Sequence, residues 1–330
     1  MMNKPFMLAP AHKDYLWGGS RLNDDFGKKI ESYPLAETWE CSTHHAGQST
    51  VASGEYAGEK LGVVLEKNPQ YLGTHPLLIT DGKPVLPILV KLIDAYKDLS
   101  IQVHPDDNYA IEHEGDLGKT EMWYVLQAKR DSSLFFGFNR DMNEEKVRMS
   151  IKDGSLTKYL NKIPVHKNDV FYIESGTVHA IGAGVLLAEI QESSDVTYRL
   201  YDYDREDKNG HKRELHIDKA LEVVNYKSSA EPRQPMRVLK YKSGYASELL
   251  TRCKYFQVER MLLNTEIQRE YADYQTEANS FHALLCTDGC GTIFGDYFHL
   301  NFFKGDCIFV PADSMPLKLH GNAQLLDVSC

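Results

Sequence analysis

The sequence lacks the features that mark several large classes of protein. Across its 330 residues, no apolar run approaches the roughly 18 residues that a membrane-spanning helix needs. Residues 1–10 contain neither the apolar stretch nor the small-residue cleavage site of a signal peptide. The net charge is −10, and no basic stripe is interleaved with the 19 Tyr and 13 Phe, which argues against nucleic acid as a partner. These absences predict a cytosolic protein that acts on small molecules and binds neither membranes nor nucleic acid.

Cysteine is also scarce, and its placement does not indicate a disulfide framework. The six cysteines lie mostly in apolar, strand-like runs: Cys41, Cys253, Cys286, Cys290, Cys307 and Cys330. A chain of this length can bury a sizeable core without cross-links, so reduced packing cysteines are expected. Cys286 and Cys290 flank Asp288-Gly289, and this spacing predicts a hairpin turn and not half of a zinc knuckle.

Helical periodicity is limited, and short strand-like segments dominate. Runs of β-branched and aromatic residues between turn signals occur at residues 86–92, 99–103, 122–126, 170–173, 185–190, 284–294 and 307–310. Helical patterns are found at residues 57–65, 142–160, with a break near Gly154, and 217–224. The pattern predicts a mainly β protein, a sandwich or a barrel with a few short helices.

An internal repeat refines this prediction. Residues 168–176 match residues 305–313 in type at each position, and both read as a turn, a short buried strand and a second turn. This pattern resembles the second motif of cupin-type jelly-roll barrels, which predicts a bicupin built of two jelly-roll β-barrels. The polar segment 227–235, with Pro232 and Pro235, is the predicted boundary. The predicted domains are residues 1–226, with a short helical insertion near 142–162, and residues 236–330.

The N-terminal copy carries a set of potential metal ligands. The first cupin motif places two ligands two residues apart on a strand, so that both side chains face the barrel interior. Gln102 and His104 have this spacing, Glu121 follows on the next predicted strand, and His179 lies ten residues after Asp169. A lone histidine in an apolar strand is usually a hydrogen-bonded core residue, but four ligand types at cupin spacing outweigh that interpretation. Two imidazoles, a carboxylate and an amide oxygen predict one open Zn²⁺ site.

The C-terminal copy presents different residues at the corresponding positions. Phe281 aligns with Glu121 and Pro316 with His179, so the second barrel is predicted to be metal-free. His282 is adjacent to Phe281, but a slip of one residue on a strand turns a side chain to the other face. The other histidines considered, which lack such partners, are expected at the solvent-exposed surface: His44, His45, His113, His211 and His216.

Longer segments of the chain resemble the type I phosphomannose isomerases. These segments are LWGG at 16–19, ETWECS at 37–42, QVHPDD at 102–107, GKTEMWY at 118–124, GTVHAI at 176–181 and DVTYR at 195–199, with Glu189 before the last. The resemblance runs from about Pro5 to Arg205 and is looser in the C-terminal third. No large helical insertion separates Glu121 from His179, so the chain is similar to the short bacterial form.

The resemblance implies a zinc enzyme that interconverts D-mannose 6-phosphate and D-fructose 6-phosphate. It carries the zinc ligands onto Gln102, His104, Glu121 and His179. It also implies a catalytic Arg199, with active-site roles for Lys119, Glu189, Lys91 and Ser100, the last two as substrate-binding residues. Glu189 could be a base or a carboxylate that positions other groups, and the sequence leaves both interpretations open.

The reaction itself calls for these residue types. Moving a carbonyl between C1 and C2 requires proton abstraction and stabilisation of the negative charge that develops on the enediol oxygens. A metal ion and a guanidinium such as that of Arg199 can stabilise this charge. Lys119 lies two residues before Glu121, which places both side chains on one face of an extended segment.

Two other function classes remain to be weighed against an isomerase. A metal-dependent cupin dioxygenase shares the His-x-His/Glu/His layout, but it tends to keep a histidine where this chain has Gln102. A non-catalytic sugar-binding bicupin would not need Lys119, Glu189 and Arg199 beside a metal. The isomerase is therefore the favoured hypothesis.

Overall fold

The computed structural model describes residues 3–206, 209–230, 232, 236–267 and 270–330. Within these residues the strands are β1 (Phe6–Ala9), β2 (Ala11–Lys13), β3 (Glu37–Cys41), β4 (Thr50–Val51), β5 (Ile88–Asp94), β6 (Ile101–Val103), β7 (Glu121–Ala128), β8 (Ser133–Phe138), β9 (Leu160–Pro164), β10 (Val170–Ile173), β11 (His179–Ile181), β12 (Val185–Glu192), β13 (Tyr198–Tyr201), β14 (Lys240–Lys242), β15 (Tyr245–Arg252), β16 (Gln257–Asn264), β17 (Ala272–Tyr274), β18 (His282–Gly295), β19 (Phe298–Phe303), β20 (Cys307–Val310) and β21 (Leu317–Ser329).

The helices are short and connect the strands. They are α1 (Arg21–Asp24), α2 (Leu61–Lys67), α3 (Thr74–Ile79), α4 (Asp107–His113), α5 (Glu144–Lys152) and α6 (Ile217–Val223), with 3₁₀ turns at Pro69–Tyr71 and Leu156–Tyr159. In the described part of the chain, no helix has the length and apolar character needed to cross a membrane.

The strands form three antiparallel sheets. A six-stranded sheet has the order β10-β7-β12-β5-β3-β2, and a five-stranded sheet has the order β13-β6-β11-β8-β9. The third sheet has ten strands in the order β14-β15-β16-β21-β18-β20-β1-β4, with β17 paired to β21 and β19 paired to β18. The strand β1 therefore joins a sheet that is built mainly from the C-terminal third of the chain.

The six-stranded sheet is covered on both faces. On one face Trp123 and Leu187 pack with Ile181 of the five-stranded sheet. On the other face Met122 packs in a cluster with Leu285 of the ten-stranded sheet. Because both faces are buried, β5 and β12 read as nearly continuous apolar runs without a polar face.

The predicted elements largely agree with the structure. The strands at residues 170–173 and 307–310 have the predicted bounds, and the other predicted strands differ by a few residues at their ends. The predicted helical segment 142–160 is α5 followed by a 3₁₀ turn, with Gly154 between them in a left-handed conformation (φ 71°). The mainly β prediction with few helices is confirmed.

One turn prediction was wrong. Cys286 and Cys290 do not flank a hairpin but lie on the continuous strand β18, which pairs with β21 on both sides of an irregularity between Cys286 and Asp288. Gly289 has φ 74°, so the turn-like dipeptide forms a local bulge of the strand and not a chain reversal.

All six cysteines are free thiols, as expected. The predicted domain boundary stays a prediction, and its residues 231 and 233–235 lie outside the described residues.

Candidate active site

A polar cavity lies where the six-stranded sheet faces the five-stranded sheet. It is lined by Tyr15, Trp17, Glu37, Lys91, Ile93, Leu99, Ser100, Gln102, Lys119, Ile181, Glu189, Asp195, Thr197, Arg199 and Arg213. All five non-ligand residues predicted for the site are in this set, together with Gln102. The three remaining predicted ligands form a buried cluster beside Lys119 and Gln102.

The three buried ligands converge on one point. His104, Glu121 and His179 each offer an atom within 4.8 Å of the others, and each side chain is at most 1% exposed. Nε2 of His179 lies 3.4 Å from Oε1 of Glu121, and Nε2 of His104 lies 3.7 Å from Oε2. Gln102 is the Cα partner of His179 on the neighbouring strand, which brings its amide to the same point.

The hydrogen bonds around the two imidazoles leave the correct nitrogen free for a cation. Nδ1 of His104 donates to the carbonyl oxygen of Val196 (2.9 Å), and Nδ1 of His179 donates to that of Thr177 (2.8 Å). Both bonds direct an unprotonated Nε2 towards Glu121. Burial lowers the pKa of His104 and lowers the pKa of His179 to about 4, so both rings are neutral, as metal ligands must be.

The donor set fits a divalent cation. Nε2 of His104 and both carboxylate oxygens of Glu121 are buried without a hydrogen-bond partner, which is costly unless a cation satisfies them. The amide of Gln102 lies 3.4 Å from Nε2 of His179, and a half-turn of that amide would present its oxygen there. The hydroxyl of Ser100, 3.3 Å from the amide oxygen, can pair with either end of the group.

Two buried lysines balance the carboxylates of the cavity. Nζ of Lys91 lies 3.2 Å from Glu189 and 3.8 Å from Glu37, and Nζ of Lys119 lies 3.3 Å from Glu121. Burial alone would raise the pKa of Glu189, but Lys119 and Lys91 outweigh burial and hold this pKa below its ordinary value. Burial, with the carboxylate of Glu189, raises the pKa of Glu121. The two lysines do not fully offset these effects at Glu121, whose pKa stays raised, and a carboxylate that needs further positive charge fits a metal ligand.

Arg199 lies next to the predicted ligands, on a strand that pairs with theirs. It is the Cα partner of Gln102 in the pairing of β13 with β6, so both side chains project from the same face of the sheet. Within the described part of the chain its guanidinium forms no ion pair. Its neighbour Arg213 donates two bonds to Asp202 (2.8 and 2.6 Å). With Lys91 and Lys119, these two arginines give the cavity lining four cationic side chains, against the three carboxylates of Glu37, Glu189 and Asp195.

Some lining residues were missed from the sequence. Trp17 and Glu37 lie in segments that carry the family resemblance, yet no role was assigned to them. Tyr15 and Arg213 gave no signal, because Arg213 follows a charged, irregular segment and reaches the cavity only through the return of the chain after β13. The prediction that His44 is exposed was wrong, since it is 7% exposed and lies 3.4 Å from Asp116.

The fold and the site define a class of protein: a cupin with a candidate metal centre beside a polar cavity that four cationic side chains line. The sequence model of the phosphomannose isomerase type I catalytic domain matches residues 6–153. A mannose-6-phosphate isomerase of Bacillus subtilis (strain 168) is 36% identical over 327 residues, which cover 99% of both chains. A probable mannose-6-phosphate isomerase of the same strain is 47% identical over 224 residues, covering 68% of this chain and 69% of that one.

Solved structures agree with these sequence comparisons. The crystal structure of the mannose 6-phosphate isomerase from Bacillus subtilis superposes with a TM-score of 0.88 at 33% identity and covers 99% of each chain. The chain belongs to the type I phosphomannose isomerase family, and it is an enzyme of the aldose–ketose isomerase class. The bicupin fold class predicted from the internal repeat is thereby confirmed.

Proposed function

We propose that the protein is a zinc-dependent, cytosolic isomerase that interconverts D-mannose 6-phosphate and D-fructose 6-phosphate through an enediol intermediate. The observation that carries the proposal is the buried cluster of His104, Glu121 and His179, in which Nε2 of His104 and both carboxylate oxygens of Glu121 have no hydrogen-bond partner among the described residues. This cluster lies beside a cavity that four cationic side chains line. The names of the relatives specify mannose 6-phosphate, one of these two sugar phosphates.

Zinc is the proposed metal because two neutral imidazoles, a carboxylate and an amide oxygen form an open N/O site of the kind that Zn²⁺ occupies in enzymes. Gln102, His104, Glu121 and His179 would hold it. When bound, a zinc ion supplies Lewis-acid polarisation of the substrate oxygens at C1 and C2. One zinc per chain is proposed.

The residues around the proposed metal stabilise charge, transfer a proton and contact the substrate. Arg199 lies beside Gln102 and is free to donate two parallel bonds to the oxygens on which charge develops. Lys119, which lies 3.3 Å from the metal-ligand candidate Glu121, is the proposed acid–base group for the proton that moves between C1 and C2. Lys91 and Ser100 line the cavity as substrate contacts.

The geometry favours a positioning role for Glu189 over the role of a free base. One oxygen of Glu189 lies 3.2 Å from Nζ of Lys91, and the other accepts a bond from Nε1 of Trp123 (2.9 Å). With both oxygens engaged, Glu189 holds Lys91 in place and keeps it protonated. The pKa of Lys91 is accordingly raised: burial alone would lower it, but Glu37 and Glu189 outweigh burial.

The test combines metal analysis with a coupled assay for fructose 6-phosphate. We expect His179→Ala to lose most of its zinc and its activity while it stays folded, because the barrel is held mainly by apolar burial. His45→Ala is the control, since His45 is exposed and lies outside the cluster. A His179→Ala protein that retains stoichiometric zinc would refute the ligand set, and a fully active metal-free wild type would refute the proposed chemistry.

A further inference from the structure

The second barrel has its own polar cavity, far from the site described above in sequence. It has a volume of about 250 Å³. It is lined by Lys242, Tyr245, Ser247, Gln257, Glu259, Met261, Asp273, Tyr274, Gln275, His282, Asp327 and Ser329. The alignment of the two repeats placed Phe281, not His282, opposite Glu121, and on that basis the second barrel offered no polar group at this position.

The strand register corrects this alignment by one residue. In the first barrel Ile173 of β10 pairs with Glu121 of β7, and in the second barrel the equivalent Val310 of β20 pairs with His282 of β18. Phe281 instead faces the cluster shared with the six-stranded sheet, where it stacks on Phe309. The counterpart of Glu121 is therefore His282.

The correspondence continues across the neighbouring strands. Two residues along from these positions, Trp123 pairs with Glu189 and Leu284 pairs with Asp327, which makes Asp327 the counterpart of Glu189. The next strands place Lys91 opposite Glu189 and Glu259 opposite Asp327. On the next strand of each barrel, Glu37 and Ser247 occupy the same register position, so Ser247 is the counterpart of Glu37. Four positions of the active-site region thus have polar counterparts: His282, Asp327, Glu259 and Ser247 all line the second cavity.

The replaced residues change the chemistry of the cavity. Glu259 stands where Lys91 stands in the first barrel, so two carboxylates face each other on adjacent strands, which is unfavourable without donors between them. Asp327 is satisfied by Nδ1 of His282 (2.6 Å) and by the hydroxyl of Tyr274 (2.9 Å). Among the described residues, the carboxylate of Glu259 accepts one side-chain hydrogen bond, from the amide of Gln257 (3.1 Å). Its carboxylate therefore has acceptor capacity left for a ligand.

The cavity also offers a donor and apolar surfaces. Burial alone would lower the pKa of His282, but Asp327 outweighs burial and raises it, and within the described residues no group bonds to its Nε2. Hydroxyl groups both donate and accept, so they match a free imidazole N–H beside a free carboxylate, whereas an amine only donates. The rings of Tyr245 and Tyr274 add apolar surface to the lining, against which C–H groups pack, and Nζ of Lys242 lies 5.3 Å from the centroid of the Tyr245 ring.

We propose that the cavity of the second barrel is a binding site for an uncharged monosaccharide, held by Glu259, His282 and the tyrosines. Its volume lies below the roughly 300–1,000 Å³ of pockets for drug-sized ligands, which suits a single sugar ring. A sugar phosphate is excluded by charge, because three carboxylates face at most two cationic groups and no arginine lines the cavity. A metal is not the proposed ligand, since His104, Glu121 and His179 form the one group of that geometry among the described residues.

The test is D-mannose binding to the zinc-loaded full chain, measured by ligand-observed NMR titration while fructose 6-phosphate saturates the active site. We expect Glu259→Gln to weaken mannose binding by about tenfold or more, because a charge-assisted hydrogen bond is lost. The matched control is Glu189→Gln, the same substitution at the equivalent position of the first barrel, which should change the affinity less than twofold. Glu259→Gln should also keep the kcat and KM of the wild type. Ser247→Ala is a second variant for the case that Glu259→Gln does not fold, and it should weaken mannose binding as well.

Three results would overturn the proposal. The first is the absence of saturable mannose binding to the wild type, and the second is binding that Glu189→Gln removes and Glu259→Gln leaves intact. The third is a second equivalent of zinc that binds the wild type but not Glu259→Gln, which would make the cavity a metal site. The variants assign mannose binding to one cavity or the other without any isomerase activity. A failure of the proposed function, in which fructose 6-phosphate would not block the first cavity, is therefore distinguished from a failure of this proposal.

Discussion

At the residue scale, the role of each buried charge follows from what already neutralises it. Lys91 lies between Glu37 and Glu189 and over the ring of Trp39, so these groups largely neutralise its charge within the protein. Arg199 has no such carboxylate in the described structure, and its charge is available to the substrate. A buried cation attracts a developing anion most strongly when no other anion competes. Arg199 is therefore the residue for which a transition-state role is expected.

Arg199→Lys tests that role. A lysine keeps the positive charge but cannot donate two parallel bonds from a fixed plane, so we expect kcat to fall by roughly 10²-fold with little change in KM. Steady-state kinetics in the fructose 6-phosphate assay measure both constants. Near-normal kcat with a strongly raised KM would instead assign Arg199 to the phosphate group, and normal values for both would remove it from the site.

At the element scale, the segment that leads into β7 is held by a close backbone contact. A Cβ atom added at Gly118 would lie 2.4 Å from the backbone nitrogen of Asp107 and 2.5 Å from the carbonyl carbon of Asp106. These atoms begin α4 and cannot move aside as a flexible side chain could. The segment immediately precedes Lys119 and Glu121, so any shift of it moves a catalytic candidate and a metal ligand together.

Gly118→Ala should therefore weaken zinc binding and lower kcat by about tenfold or more, and it should destabilise the fold by roughly 1–3 kcal/mol. The control is Gly62→Ala in α2, where the nearest atoms belong to the flexible side chain of Gln48. That variant should be close to wild type, because alanine is favoured over glycine in a helix. Chelator titration and urea unfolding of both variants measure the effects; equal behaviour of the two would contradict the argument.

A second element-scale contact joins the end of β12 to the start of α4. The carboxyl of Glu192 bonds to the carboxylate of Asp107 and accepts from the backbone N–H of Thr120 (2.7 Å), while Tyr255 donates to Asp107 (2.8 Å). Burial, together with the Asp107 carboxylate, raises the pKa of Glu192 to about 8. Glu192 is thus protonated at neutral pH and acts as the donor between the two carboxyl groups.

This pair predicts a pH dependence of stability. Because the pKa of Glu192 in the folded state is raised above its unfolded value, its contribution is full below that unfolded value and is lost as the pH rises through about 8. We expect Glu192→Gln, which keeps an N–H donor without a titration, to lose less stability than the wild type between pH 6 and pH 9, by at least about 1 kcal/mol. Urea unfolding at equal zinc concentration measures this difference. Parallel pH profiles of the two proteins would contradict it.

At the scale of the whole molecule, the two barrels share the same strand arrangement but are expected to differ in whether they bind zinc. We expect one zinc per chain in the purified wild type, because Glu121 in the first barrel corresponds to His282 in the second, and His282 is already bonded to Asp327. Chelation should abolish activity and lower the thermal midpoint, and Zn²⁺ should restore both, since a ligand bound to the folded state stabilises it. Elemental analysis measures the stoichiometry. Two tightly bound zinc ions per chain would contradict the asymmetry.

Features that depend on local periodicity are predictable from the amino-acid sequence alone. The two-residue spacing of Gln102 and His104, the strands at 170–173 and 307–310, and the break near Gly154 all follow from alternation or from a single backbone conformation. The long motifs also identified the family before any contact was known.

Features that depend on the register between distant strands follow only from the packed fold. One residue separates Phe281 in a shared core from His282 in a cavity, and local sequence similarity does not resolve a slip of one position. Likewise, Arg213 lines the first cavity and Glu192 meets Asp107 because the chain returns over many residues. Periodicity specifies which residues share a face of a strand, but the energy of pairing that face with its neighbours is settled only when the sheets are packed.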